Sequence, residues 1–278
     1  LEVRSTRVPR TCESARCVLG GLLEGRAEAQ APVDIVLNAK PEWMVFPEAS
    51  SDECPKLASI FRMGLRLGAA PAEKPSPTRR RIDEVMASAC AKLRWEPKPE
   101  FAEWGPVGVM DVTAARAAHG KPLGELTPQD LAAVEAAASA HMMIAFQGGE
   151  DDADEDHAGV DATRDATLRL SMGRFLGEIG RRIDAATSGS PDAPRLCLYS
   201  GHDWSVMPLL MCLLPHYGSP SADRPWHDKW RWMPYSSELA IELYEDKGGG
   251  EHCVRLVCCG EVLTELPHLG ADKHGFAS

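Results

Sequence analysis

Apolar residues recur along this chain with two different periods. Leu196, Cys197, Leu198 and Tyr199 form a short apolar run after Gly189, Pro191 and Pro194, which predicts a strand buried on both faces. Ser200-Gly201 breaks the run, and residues 206–214 are again apolar over the length of a short helix. Near the front, residues 1–10 read as the end of a strand and a loop. Ala15, Val18, Leu19, Leu22 and Leu23 then recur at helical spacing, predicting a helix over 13–23 that Gly20-Gly21 weakens and Gly25 helps to end. Val33, Ile35 and Leu37 alternate as a second short strand. Late in the chain Leu239, Ile241 and Leu243 alternate with more polar neighbours. Val254, Leu256 and Cys258 supply a hairpin partner across a turn at Gly248-Gly-Gly250.

Between these ends the pattern changes to helical. Residues 57–67 predict a helix, and 69–78, with three prolines, a loop. Over 78–93 the residues Ile82, Val85, Met86, Ala89, Cys90 and Leu93 share one face of an amphipathic helix. A further helix is predicted over 104–118, ending at Gly120. Thr127-Pro128-Gln-Asp130 reads as an N-cap with Pro at the first helical position, ahead of Leu131, Val134, Ala138 and Met142. Residues 167–186 predict a long helix with Leu170, Phe175, Leu176, Ile179 and Ile183 as its buried stripe. The expected organisation is a first part of an α/β core at 1–53, a helical cap inserted at 54–163, and the rest of the core at 164–278.

Composition narrows the classes. A net charge of -11 over 278 residues excludes a basic surface for nucleic acid or anionic membrane. No apolar run approaches the roughly 20 residues of a transmembrane segment. Nine cysteines is an odd number without a CxxC, so most are expected as small core residues, with room for one or two disulfides. Cys258 and Cys259 are expected on opposite faces of a strand. Asp152, Asp154 and Asp156 have the odd spacing of a calcium loop, but His157 and Thr163 stand where Gly and Glu are needed, so the acidic run 150–156 is read as a solvated loop. No metal site and no cofactor are expected. Arg79-Arg-Arg81 reads as a solvated helix start, His216, His227, His252, His268 and His274 as surface or loop histidines, and Trp226, Trp230 and Trp232 as packed on the cap.

Chemistry concentrates at the turn after the strand 196–199. Strand, tight turn and helix is how α/β sheets place active sites at the carboxyl ends of their strands. Here the turn carries His202 and Asp203, a pair capable of acid/base work. The plainer reading is that Asp203 caps the following helix.

Two stretches together resemble the histidine acid phosphatases. Arg4-Ser-Thr-Arg-Val-Pro-Arg-Thr11, with Ser14 and Ala15 behind it, resembles that family's second arginine motif, and Leu198-Tyr-Ser-Gly-His-Asp203 its His-Asp motif. Trp104-Gly-Pro with Asp111, His119-Gly-Lys-Pro, Met233-Pro-Tyr-Ser-Ser-Glu-Leu239, Glu242-Leu-Tyr244, and Val254-Arg-Leu with Gly260-Glu-Val-Leu263 agree with it. Leu1-Glu-Val-Arg-Ser-Thr6, Glu13-Ser14 and Leu209-Leu-Met211 look closest to its lysophosphatidic acid phosphatase (type 6) branch. The resemblance implies a three-layer α/β core with a mostly parallel sheet and an inserted helical cap. It implies phosphomonoester hydrolysis through a phosphohistidine formed by an Arg-His-Gly-X-Arg-X-Pro histidine. By motif, Arg10 and His202 are the phosphate-binding residues and Asp203 the proton donor to the leaving alcohol. Substrates implied are small phosphomonoesters or a lysophospholipid phosphate, and the type 6 likeness points to a mitochondrial address, with a secretory or lumenal one as alternative.

The chain departs from the pattern too. It contains no Arg-His-Gly, and the Gly of His119-Gly120 follows Ala118-His119 inside the cap. It opens at Leu1 as if a strand were under way, so the expectation is that the first core strand and the nucleophile lie upstream. Arg7 and Pro9 stand where the family often has acidic residues. Two readings follow: an acid phosphatase whose nucleophile lies outside these residues, or a catalytically inactive subunit of the same fold serving a larger protein assembly. A phosphotransfer enzyme such as a sugar-phosphate mutase fits the second motif and the inserted cap less well.

Overall fold

Short strands with Val3, Val36 and Leu198 near their centres build the first half of the architecture. In the computed structural model, which describes residues 1–25, 32–37, 54–69, 77–96, 105–147, 157–214, 232–246, 251–263, 272 and 274–277, β1 (Glu2–Ser5) lies between β2 (Ile35–Leu37) and β3 (Cys197–Ser200) in one parallel sheet. Val3 sits level with Ile35 on one side and Leu198 on the other. The chain divides into two compact units, one of Leu1–Met44, Met172–Pro215 and Met233–Ser278, the other of Val45–Ser171 and His216–Trp232.

In the first unit the parallel sheet has a helix on each face. Strand residues alternate faces, so Val3 and Leu198 point one way, toward Ala15 and Leu19 of α1 (Pro9–Leu23). Burying Val3 and Leu19 there contributes about 1.5–3 kcal/mol each. Glu2, Arg4 and Tyr199 point the other way, toward the C-terminal part of α6 (His157–Thr187). Tyr199 meets Phe175 edge to face at 4.9 Å. Glu2 pairs with Arg182 at 2.7 Å and Arg4 with Glu178 at 3.8 Å. The buried apolar positions of α6 are Leu168, Met172 and Phe175, while Ile179 and Ile183, in the stretch that carries this polar ladder, are only half-buried. The arrangement is a mixed α/β, helix–sheet–helix one.

Three expectations are revised here. The run 196–199 is half-buried, with Leu196 43% exposed, because among the described residues β3 is the end strand of its sheet. The first helix starts at Pro9, whose fixed φ suits a first helical position. All nine cysteines are free thiols.

The late strands form a second, antiparallel sheet. β4 (Leu239–Glu245) pairs with β5 (His252–Cys258) over its whole length, and β5 also pairs with β6 (Glu261–Val262) and β7 (Phe276–Ala277). Cys259 and Gly260, with φ of 50° and 79°, make the two-residue turn between β5 and β6. Cys259 thus belongs to the turn, not to a strand face opposite Cys258.

The second unit is helical. α2 (Pro55–Ala69), α3 (Pro77–Leu93) and α4 (Gly105–Ala118) each pack on α5 (Pro128–Gln147). α5 is rich in apolar residues, with Val134, Ala138, Met142, Ile144 and Phe146 buried beside Ser139 and His141. Phe146 meets Phe61 of α2 edge to face at 5.6 Å, and Ile82 of α3 packs with Ala137 and Ile144. Thr127 and Asp130 form a reciprocal cap at its start: Thr127 N–H donates to Asp130 Oδ2 at 2.8 Å, and Asp130 N–H to Thr127 Oγ1 at 3.2 Å. Lys92 Nζ lies 2.6 Å from Asp130 Oδ1, and this pairing, with the Thr127 hydrogen bonds, holds the Asp130 carboxyl down at about 2. The acidic run 150–156, the Gly248–Gly250 turn and Trp226 and Trp230 lie outside the described residues.

Candidate active site

Parallel pairing brings the carboxyl ends of β1 and β3 level, Ser5 beside Ser200. Thr6 N–H donates to Ser200 O at 3.1 Å and closes the pair. Each strand then turns into the N-terminus of a helix. β1 leads through Val8 into α1, which begins with Pro9 and Arg10. β3 leads through Gly201 and His202 into α7 (Asp203–Leu213). Two helix N-termini, each the positive end of a helix dipole, thus share one end of one sheet.

Arg10 and His202, 192 residues apart in sequence, meet at this end: Arg10 Nη2 is 3.2 Å from His202 Nδ1. The other ring nitrogen, Nε2, is 3.1 Å from Thr6 Oγ1. Burial first, and the Arg10 guanidinium second, push the His202 pKa down to about 4, so the ring is neutral at physiological pH.

His202 is the N-cap residue of α7, with extended backbone. Its backbone N–H donates to Ser205 Oγ at 2.9 Å, which ties the imidazole's Cα to the helix start. Asp203 is the first helical residue, half-buried, and its Oδ1 accepts from Trp204 N–H at 2.9 Å. A carboxylate in the first turn is favoured by the helix dipole. The plainer capping role and an acid role therefore use the same position. Arg10 is exposed at the start of α1 and holds Ser14 Oγ through its backbone carbonyl at 3.0 Å.

Beneath this pair lies a cluster of buried hydroxyls. Thr6 and Thr11 are each 3% exposed and Ser5 is fully buried. Thr6 Oγ1 and Thr11 Oγ1 are 2.7 Å apart, Ser5 Oγ donates to Thr11 Oγ1 at 3.1 Å, and Thr11 Oγ1 donates to Val8 O at 2.8 Å. Ser200 Oγ donates to Thr11 O at 2.7 Å, stitching β3 to α1. These hydroxyls were not singled out by type or spacing. Thr6 and Thr11 stand inside the Arg4–Thr11 motif, but only the strand pairing turns them toward His202.

Among the described residues no group of three or more His, Cys, Asp or Glu is placed to hold a metal ion. No helix among them is long and apolar enough to cross a membrane. What the arrangement offers is a guanidinium, an imidazole and two helix N-termini at one strand edge, a donor set suited to a tetrahedral oxyanion.

Residues 150–258 match the histidine phosphatase superfamily (branch 2), a span that includes His202 and Asp203 and leaves Arg10 outside it. The chain is similar to lysophosphatidic acid phosphatase type 6 of Bos taurus, 25% identical over 265 residues, covering 93% of this chain and 52% of the relative. The Homo sapiens protein of the same name is 25% identical over 266 residues and that of Pongo abelii 24% over 262, with the same coverage. The chain spans about half the length of the curated relatives it matches.

Proposed function

We propose that this chain, which carries a histidine phosphatase superfamily (branch 2) domain, forms the phosphate-binding and acid half of an acid phosphatase-type phosphomonoester hydrolase. One observation carries the reading: Arg10 and His202 come from opposite ends of the sequence and meet at 3.2 Å beside two helix N-termini. Arg10 neutralises phosphoryl oxygens with paired donors that stay charged at any working pH. His202 holds a further oxygen. Asp203, next to His202 at the start of α7, protonates the departing alkoxide and then takes a proton from the attacking water. The phosphohistidine nucleophile of this chemistry belongs to an Arg-His-Gly motif that none of the 278 residues contains. Turnover is therefore a property of a protein that supplies that motif, and anion binding is a property this chain can be asked for directly.

The substrate set beside a simple aryl phosphate is a lysophospholipid phosphate, because the three relatives are named for lysophosphatidic acid. The test has two arms. Orthophosphate binding by this chain, followed by calorimetry, should weaken about 30- to 150-fold in Arg10→Ala. In a longer natural protein containing the chain, Asp203→Asn should keep phosphate binding and lose at least about 100-fold in turnover. Turnover unchanged in Asp203→Asn removes the acid assignment. Phosphate bound but never turned over, in a protein that has the nucleophile motif, replaces the enzyme with the non-catalytic subunit of a larger assembly.

A further inference from the structure

We propose that Thr6 is a positioning residue for His202: its buried hydroxyl holds the imidazole as the Nε2–H tautomer and so turns the lone pair of Nδ1 toward Arg10. The assignment follows from which groups can donate. A guanidinium has N–H donors and no acceptor. Arg10 Nη2, 3.2 Å from Nδ1, therefore requires a bare lone pair there. A neutral ring has one proton, so it sits on Nε2, which faces Thr6 Oγ1 at 3.1 Å. Thr6 must accept it. The Thr6 proton then goes to Thr11 Oγ1 at 2.7 Å, and the Thr11 proton to the carbonyl of Val8 at 2.8 Å.

The direction of the chain is set at both ends. Arg10 can only donate and the Val8 carbonyl can only accept, so every proton between them has one consistent placement. Thr6 and Thr11 are each 3% exposed, which leaves bulk water little chance to reverse a link. Ser5 Oγ, donating to Thr11 Oγ1 at 3.1 Å, and Ser200 Oγ, donating to Thr11 O, brace Thr11 beneath Thr6.

The consequence for function rests on the phosphatase reading; the tautomer does not. Nδ1 is the nitrogen on the side of Arg10, where an oxyanion would arrive. With Nε2–H already committed to Thr6, His202 meets that anion by gaining a proton on Nδ1 while Arg10 moves from the ring to the anion. Thr6 keeps the ring from turning over during the exchange.

Long-range 1H–15N correlation spectra of the 15N-histidine-labelled chain at pH 7 test this directly, with His202 identified by the signal lost in His202→Gln. The expected pattern is a neutral ring with the proton on Nε2. A proton on Nδ1 in the unmutated chain overturns the proposal before any variant is made. In Thr6→Val the buried Nε2–H loses its acceptor, so the ring should turn out of its contact with Arg10 and become a mixture of tautomers, and orthophosphate affinity should fall about five- to tenfold. Thr6→Ser should restore both. A Thr6→Val protein that folds and keeps the Nε2–H pattern also overturns it. If the pattern is as expected and responds to Thr6→Val while orthophosphate does not bind, the positioning role stands and the phosphate-site reading fails. If orthophosphate binds and the tautomer ignores Thr6, the failure is the reverse.

Discussion

The two units solve opposite problems with opposite materials. The helical unit is built from near neighbours: α5 is buried along most of its second half, and α2, α3 and α4 each pack on it. Its notable polar cluster, Thr127, Asp130 and Lys92, sits at a helix start, where free N–H groups require partners. The helical unit buries hydroxyls too, but Thr113, Ser139 and Ser171 donate back to carbonyls of their own helices, whereas the hydroxyls of the α/β unit bond from one element to another. Ser5, Thr6 and Thr11 lie under the strand ends, and Glu2, Arg4, Glu178 and Arg182 lie between sheet and helix. Buried polar groups are costly unless every partner is present, and hydroxyls that find those partners across β1, β3 and α1 fix how these elements meet at the strand ends.

That contrast can be broken by substitution. The largest effect expected is in the helical unit, where Phe146→Ala should lose about 3–5 kcal/mol of unfolding free energy by leaving a cavity against Phe61. Urea unfolding followed by circular dichroism measures it, and orthophosphate affinity of the remaining folded protein should not change. In the α/β unit the order reverses. Arg10→Ala, at an exposed position, should change unfolding by well under 1 kcal/mol yet weaken orthophosphate binding by about 2–3 kcal/mol, since a charged hydrogen-bonding partner is removed.

A third expectation concerns acid. The His202 pKa of about 4 in the folded chain lies below the roughly 6.5 of an unfolded one. On acidification the unfolded chain takes up its proton first. The stability that depends on a neutral His202 is therefore whole above about pH 6.5, is lost progressively toward pH 4, and changes no further below. At a half-buried ring in contact with solvent the loss is at most about 2 kcal/mol. Subtracting the pH profile of His202→Gln from that of the unmutated chain isolates it. Arg10→Gln should raise the His202 pKa in an NMR titration, because the guanidinium is the second cause of its depression, while burial keeps it below the usual value. The smallest effect is Thr127→Ala, which removes one helix cap and should lower stability by about 1 kcal/mol without touching the anion site.

Much of the secondary structure was readable because it follows from local periodicity. The stripe Ile82, Val85, Met86 predicts the face that α3 turns to α5, and Thr127-Pro128 marks where α5 starts. The alternation at 239–243 and 254–258 predicts a hairpin whose register is observed. The misreadings came where local pattern is silent. An apolar run such as 196–199 looks alike in the middle of a sheet and at its end, and only pairing distinguishes them. Adjacent Cys258 and Cys259 look like strand residues until the positive φ at Cys259 puts it in the turn.

The site divides along the same line. Residue type and a place in a strand–turn–helix pattern made His202 and Asp203 candidates, and the resemblance of Arg4–Thr11 to a family motif added Arg10. Residue type also set the net charge and the helical stripes. Which nitrogen of His202 faces which partner, and that Thr6 and Thr11 matter at all, was decided only when β1 paired with β3 and carried residues 192 to 196 positions apart into hydrogen-bonding distance. Hydrogen bonds are short and directional, so they depend on coordinates that no spacing along the chain encodes.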